Sequence, residues 1–301
     1  VDYADVVAAA FGPRPEGTPT PDVVTRAGPA RRLRDAVEPV AMHAVWSATT
    51  NGRLAELGLD FLGAYIGGRA ASLGTPVGAV VVSAFAWFEP GLVVGVLEAV
   101  RAAVDRDRIA AIRDEATTAS LRDILGGDDP GAVATALADA TEPADGTGRS
   151  LFSALRSKGR PVDPYQRLWW ACDLIREHRG DSHVAAAAVA GLGPVEMNVL
   201  TELWLGMPLF SYTATRGWPE AQMRAAVAGL EARRWVEGGH LTEEGRHARD
   251  EVEAQTDAQE QSIVDALGTD LEELCARLDG WGRRCIDAGA FPADTLKRAA
   301  G

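Results

Sequence analysis

Apolar residues recur at helical rather than strand spacing along most of this chain. Leu33, Val37, Val40 and Ala44 fall on one stripe, and the run from Leu57 to Leu73 (LGLDFLGAYIGGRAASL) is rich in small residues. Gly63, Gly67 and Gly68 in that run would let two helices approach closely. The most apolar stretch, Ala79 to Val100, is long enough to cross a bilayer, but Glu89-Pro90 divides it into two short core segments, and no membrane span is expected. One helix is predicted from Pro90 to Leu125, stopped by Gly126-Gly127. Another begins near Pro164, carries Leu168, Ala171, Cys172 and Ile175 on one face, and runs to Gly180.

The last third has a different order: a helix (PVEMNVLTELWL), a connector ending in Arg216-Gly217-Trp218, and a helix from Pro219 to Arg234. Trp235-Val236 and His240-Leu241-Thr242 flank Gly238-Gly239 as two short strands would, and Thr242 can cap the next helix. This is the layout of a winged helix. A long acidic helix from Glu243 to about Leu267 and a final one from Asp270 to Asp287 complete the pattern. The predicted fold is mainly α, with a helical N-terminal unit, a winged-helix unit and one short β-hairpin. The expected organisation is an N-terminal arm (1–30, proline-rich after a short helix), a helical domain (31–125), a linker region (126–163), a winged-helix-like domain (164–250) and C-terminal helices (251–301).

Charge narrows the partners. Aspartate plus glutamate outnumber lysine plus arginine by 43 to 30, for a net charge of −13, so DNA could be held only by a local basic patch. Between Arg216 and Arg249 six arginines face five acids, whereas residues 243 to 279 hold twelve acids against three arginines. The predicted recognition helix offers Gln222 and Arg224 early, with Arg233 and Arg234 at its end, and the wing has no basic tip. DNA binding is therefore disfavoured, though open. Three scattered cysteines and an acidic first ten residues point to a reducing cytoplasmic setting, with no disulfide framework.

Chemistry concentrates in REHRGDSH, residues 176 to 183, which packs two arginines, two acids and two histidines into eight positions. Arg179 falls on the apolar stripe, where a guanidinium needs a carboxylate or an anionic ligand. In one reading Arg179 pairs with Glu38 or Asp181 as an internal clamp. In the other the string forms a pocket: Arg176, Arg179, Asp181 and Glu38 bind a ligand, Trp87 and Trp170 line it, and His178, His183, Glu177 and His43 supply acid/base groups. His178 and His183 would point about 140° apart on a continuous helix, unlike a zinc pair, so no metal is expected. No Walker lysine, GxSxG, GxGxxG or HExxH is present, and no cofactor is implied.

Several segments resemble a known group of proteins: Glu38-Pro39 with His43, GLDFLGAYIGGRAASLG, FAWFEP, LWWACDLIREHRGDSHVAA, RGWPEAQMRAAVAGLEARRWVEGGHLTEEG and EAQTD. Spanning about residues 30 to 260, they are similar to an actinobacterial helix-turn-helix family akin to the MarR winged-helix regulators. The function expected is that of a winged-helix-derived protein of specialised metabolism, binding a small anionic or aromatic molecule between its halves, with cofactor-independent acid/base catalysis as the activity such a site would support. The alternative is a ligand-responsive MarR-like DNA-binding regulator, a homodimer through its terminal helices.

Overall fold

The computed structural model describes residues 2–12 and 28–296. The proline-rich part of the N-terminal arm, 13–27, lies outside the described residues. A first helix, α1 (Tyr3–Phe11), starts on an Asp2 cap and sets Tyr3 against Trp46 and Phe61. The stripe of Leu33, Val37, Val40 and Ala44 is fully used: α2 (Pro29–Ala41) buries the first three, and α3 (His43–Trp46) buries Ala44 after a break at Met42.

Next come α4 (Ala48–Ala55) and α5 (Phe61–Ala70), the latter extended by a 3-10 turn, Ala71–Leu73. The small residues of α5 have the predicted role. A Cβ on Gly67 would sit 2.8 Å from Val100, and one on Gly68 would sit 3.1 Å from Arg113. The apolar run at 79–100 breaks at Glu89-Pro90 into α6 (Gly78–Phe85) and α7 (Pro90–Ala103), with Glu89 capping α7 through Leu92 N–H. Among the described residues no single helix is long and apolar enough to cross a membrane.

Two predicted boundaries shift. The helix expected from Pro90 to Leu125 is two, because Asp105 caps a new start and opens α8 (Arg106–Leu125); Gly126 ends α8 in the left-handed region, as its φ of 56° requires. Residues 126–163, read as a linker region with one short Ala-rich helix, carry that helix as α9 (Gly131–Ala140) and a second, α10 (Ser150–Ser157), which bring Val133, Leu137 and Phe152 into the central core.

The central helix is α11 (Pro164–Val189), which continues nine residues past Gly180. Gly180 does not end it, because the Ala-rich sequence that follows has high helix propensity and packs into a further apolar cluster. Its first part, with Leu168, Cys172 and Ile175, joins α2, α9 and the terminal helix α16 (Leu271–Asp287) in the main core; its last turns, with Ala186 and Ala187, join a second core with Leu200, Leu230 and Val236. One helix thus serves both cores. The apolar face of α16 is covered within the chain, by α2.

The segment expected to form a winged helix comprises α12 (Pro194–Trp204), a 3-10 turn (Thr213–Arg216), α13 (Glu220–Ala232), an antiparallel hairpin of β1 (Val236–Glu237) and β2 (His240–Leu241), and α14 (Glu243–Gln259). Thr242 caps α14, accepting from Gly245 N–H. The predicted acidic helix ends at Glu260, and α15 (Gln261–Leu267) resumes it. The protein is mainly α with a single short hairpin among the described residues.

Candidate functional site

A cavity of about 100 Å³ lies where α2, α5, the α6–α7 link, α11, α12, the 3-10 turn and α14 meet. A cavity of ~150 Å³ accommodates benzene, so the space suits a small ligand or an anionic head group. Its lining carries seven arginines against four carboxylates, in a chain whose net charge is −13.

Helical spacing builds this lining. Arg31, Arg34 and Glu38 recur at i, i+3 and i+7 on α2; Tyr65 and Arg69 are one turn apart on α5; Arg249 and Glu253 are one turn apart on α14. From α11 come Arg176, Glu177, Arg179, Asp181 and His183, and Phe85, Trp87 and Phe88 form an aromatic wall.

The charges fall into two clusters. Glu253 takes Arg31 at 2.7 Å and Arg179 at 2.5 Å on one oxygen, and Arg249 at 2.9 Å on the other. Burial alone would raise the Glu253 carboxyl, but Arg179, Arg249 and Arg31 hold it well below its ordinary 4.5. Arg179 also meets Asp257 at 2.6 Å. The second cluster surrounds Glu177, which accepts two parallel bonds from Arg69 (3.0 and 2.7 Å) and one from Arg176 (3.0 Å). Arg176 also reaches Glu38 at 3.4 Å.

Three arginines remain incompletely satisfied. Among the described residues the buried Nε groups of Arg179, Arg216 and Arg249 have no hydrogen-bond partner, and Glu38 Oε2 is likewise unmatched. Arg216 differs from the rest. Among the described residues it pairs with no carboxylate; it lies over the Phe88 ring at 4.7 Å and the Tyr212 ring at 4.4 Å and donates to the Tyr212 hydroxyl at 2.7 Å. Its position is fixed from below by Glu202, whose carboxylate accepts from the amides of Phe210, Tyr212 and Thr213. Its own carbonyl accepts from Glu89 N–H at 2.9 Å, and the neighbouring Trp218 donates to the Trp87 carbonyl at 2.8 Å. The approach to α13 is therefore joined to the N-terminal helices.

The proposed residues divide. Glu38, Trp87, Arg176, Glu177, Arg179, Asp181 and His183 do line one cavity. His178, His43 and Trp170 do not: His178 is buried against Glu260 at 2.6 Å, His43 against Ser120 at 2.9 Å, and Trp170 donates to the Leu155 carbonyl. Burial lowers His43 to about 4. The expected Arg179 clamp to Glu38 or Asp181 is replaced by Glu253 and Asp257, both from α14. Asp181 instead accepts from the Leu151 and Phe152 amides at the start of α10, and burial pushes its carboxyl up to about 7.

His183 sits 5.5 Å from the Trp87 ring and 3.0 Å from Thr256 Oγ1. Thr256 donates its own proton to the Val252 carbonyl, so His183 Nδ1 is the donor and Nε2 keeps a lone pair. Burial, with Arg249 and Arg179 nearby, lowers His183 to about 3 and keeps it neutral.

The sequence reading passed over Arg31, Arg34, Tyr65, Arg69, Tyr212, Arg216, Arg249 and Glu253. The i, i+3, i+7 and i, i+4 spacings were visible signals, but only packing shows that these faces converge. On a continuous α11, His178 and His183 point apart, and the described residues contain no group of three or more His, Cys, Asp or Glu able to hold a metal ion. Cys172, Cys275 and Cys285 are free and buried, and burial raises all three thiols.

The DNA-reading candidates lie elsewhere on the surface. Gln222 and Arg224 are exposed on α13, where Arg224 is bound by Glu220; Arg233 donates to the Gly191 carbonyl and Arg234 lies 3.9 Å from Glu244. Two of the six arginines between Arg216 and Arg249 turn into the cavity, and the five acids of that stretch remain exposed.

No curated protein and no solved structure matches the chain. A helix-turn-helix family model matches residues 30–292, taking in both clusters of the cavity and α12 to α14 with their hairpin, and the chain belongs to that helix-turn-helix family.

Proposed function

We propose that this helix-turn-helix protein binds a small anionic molecule in the arginine-lined cavity between its N-terminal helices and its winged helix. The observation that carries this reading is the lining itself, seven arginines against four carboxylates, with Arg216 paired to no carboxylate among the described residues. A buried guanidinium without a counter-charge is destabilising, and an anion in the cavity supplies one. Phe85, Trp87 and Phe88 add an apolar wall for the uncharged part of the ligand. Calorimetric titration with sulfate should give saturable binding, and at a hundredfold excess over Kd the anion should stabilise the fold by about 2.7 kcal/mol. Absence of both binding and thermal protection would remove the reading.

A second reading, a MarR-like regulator whose DNA affinity responds to the ligand, is favoured by the helix-turn-helix family and by the link from Arg216 to Glu89 and from Trp218 to Trp87. Against it stands the acidic balance of the exposed winged-helix surface. Fluorescence anisotropy of generic duplex DNA should show no binding at low salt. Binding that weakens linearly with log salt would instead make the cavity an effector site.

A further inference from the structure

We propose that Tyr65 is the proton-transfer residue of the cavity, acting on a small anion that carries a carbonyl or enol oxygen. This inference rests on the anion-binding reading and adds a chemical step to it. Tyr65 is buried on α5, and its ring is held by Phe61, Phe85 and Phe88. Arg69, one turn along the same helix, donates to its phenolic oxygen at 3.0 Å. A guanidinium only donates, so the phenol uses a lone pair there, and among the described residues no acceptor takes its own proton. Because Tyr65 lines the cavity, a bound ligand can take that bond.

The charged groups acting on the phenol are Arg69 from its own helix, Arg176 and Glu177 from α11, and Arg216 from the 3-10 turn. Burial would raise its ionisation, but the three arginines outweigh burial and Glu177 and bring it below the ordinary 10. In the step, the Tyr65 O–H bond breaks, a new H–O bond forms on the ligand, and the electron pair stays on a phenolate held by the arginines. The reverse transfer restores the phenol. A phenol tuned below its ordinary value is suited to exchange protons with enol oxygens.

The test is a pH titration of the full chain labelled with [13Cζ]tyrosine, with and without sulfate. The chain has four tyrosines, so four resonances are followed. One resonance should titrate below pH 10, disappear in Tyr65→Phe, and move upward in Arg216→Met and when sulfate partly neutralises the arginines. If Tyr65→Phe does not fold, Tyr212→Phe assigns the other tyrosine of the cavity, and the sulfate-sensitive resonance that remains is that of Tyr65. The proposal is overturned if all four titrate at or above 10, or if sulfate binds by calorimetry yet moves none of them. Sulfate that fails to bind while one resonance still titrates low would overturn the anion reading, and with it the ligand class assigned to Tyr65.

Discussion

Glu253→Gln should cost about 3–5 kcal/mol of folding stability, read as a fall in the urea midpoint at neutral pH. Glu253 is buried and is the shared carboxylate of Arg31, Arg179 and Arg249. Glutamine keeps the shape and removes the charge, leaving three buried guanidinium groups around a neutral amide. Two consequences separate this from an ordinary core defect. Sulfate should restore more stability to the variant than to the wild type, since it supplies the missing negative charge. The pH dependence should also change. The arginines depress the Glu253 carboxyl in the fold, so its contribution is complete above the unfolded value near 4.5 and is lost as pH falls towards the lower folded value. The variant should therefore have a shallower acid limb. A loss under 1 kcal/mol, with an unchanged acid limb, would mean that the arginines do not depend on this carboxylate.

Arg216→Ala should lower sulfate affinity by about 10–100-fold, the equivalent of the roughly 1.5–3 kcal/mol of a hydrogen bond to a charged group. Its thermal midpoint should change little, because Arg216 gives up only its Tyr212 bond and its contacts with two aromatic rings, and no ion pair is broken. That combination of lost binding and retained fold distinguishes a ligand-facing arginine from the structural ones around Glu253. Arg224→Ala is the matched control: Arg224 is exposed, paired with Glu220 and outside the cavity, and its removal should leave sulfate binding intact. Equal affinities for the Arg216 variant and the wild type would place the anion elsewhere.

The two predictions rest on residues that the sequence displays very differently. Arg179 stands out because it interrupts an apolar stripe, and the need for a counter-charge follows from that position alone. Its actual partners, Glu253 and Asp257, lie 74 and 78 positions away on another helix. Nothing in the local pattern distinguishes them from the other acids of a strongly acidic segment. Arg216 gives no local signal at all, since it precedes a Gly-Trp-Pro turn as an ordinary exposed arginine would.

Sequence alone determined the helical character, the break at Glu89-Pro90, the close-packing glycines of α5, the caps at Thr242 and Gly126, and the order of helices and hairpin in the last third. Each of these is set by interactions within a few residues: side-chain period, cap hydrogen bonds, the missing N–H of proline. The tertiary structure decided which of the two histidines in the 176 to 183 string faces the cavity, because a continuous α11 turns His183 inward and His178 towards Glu260. It also decided that arginines from α2, α5, α11, α14 and the turn before α13 share one space. Convergence of that kind depends on helix packing across long sequence separations, where charge attraction and burial act between residues that no local spacing relates.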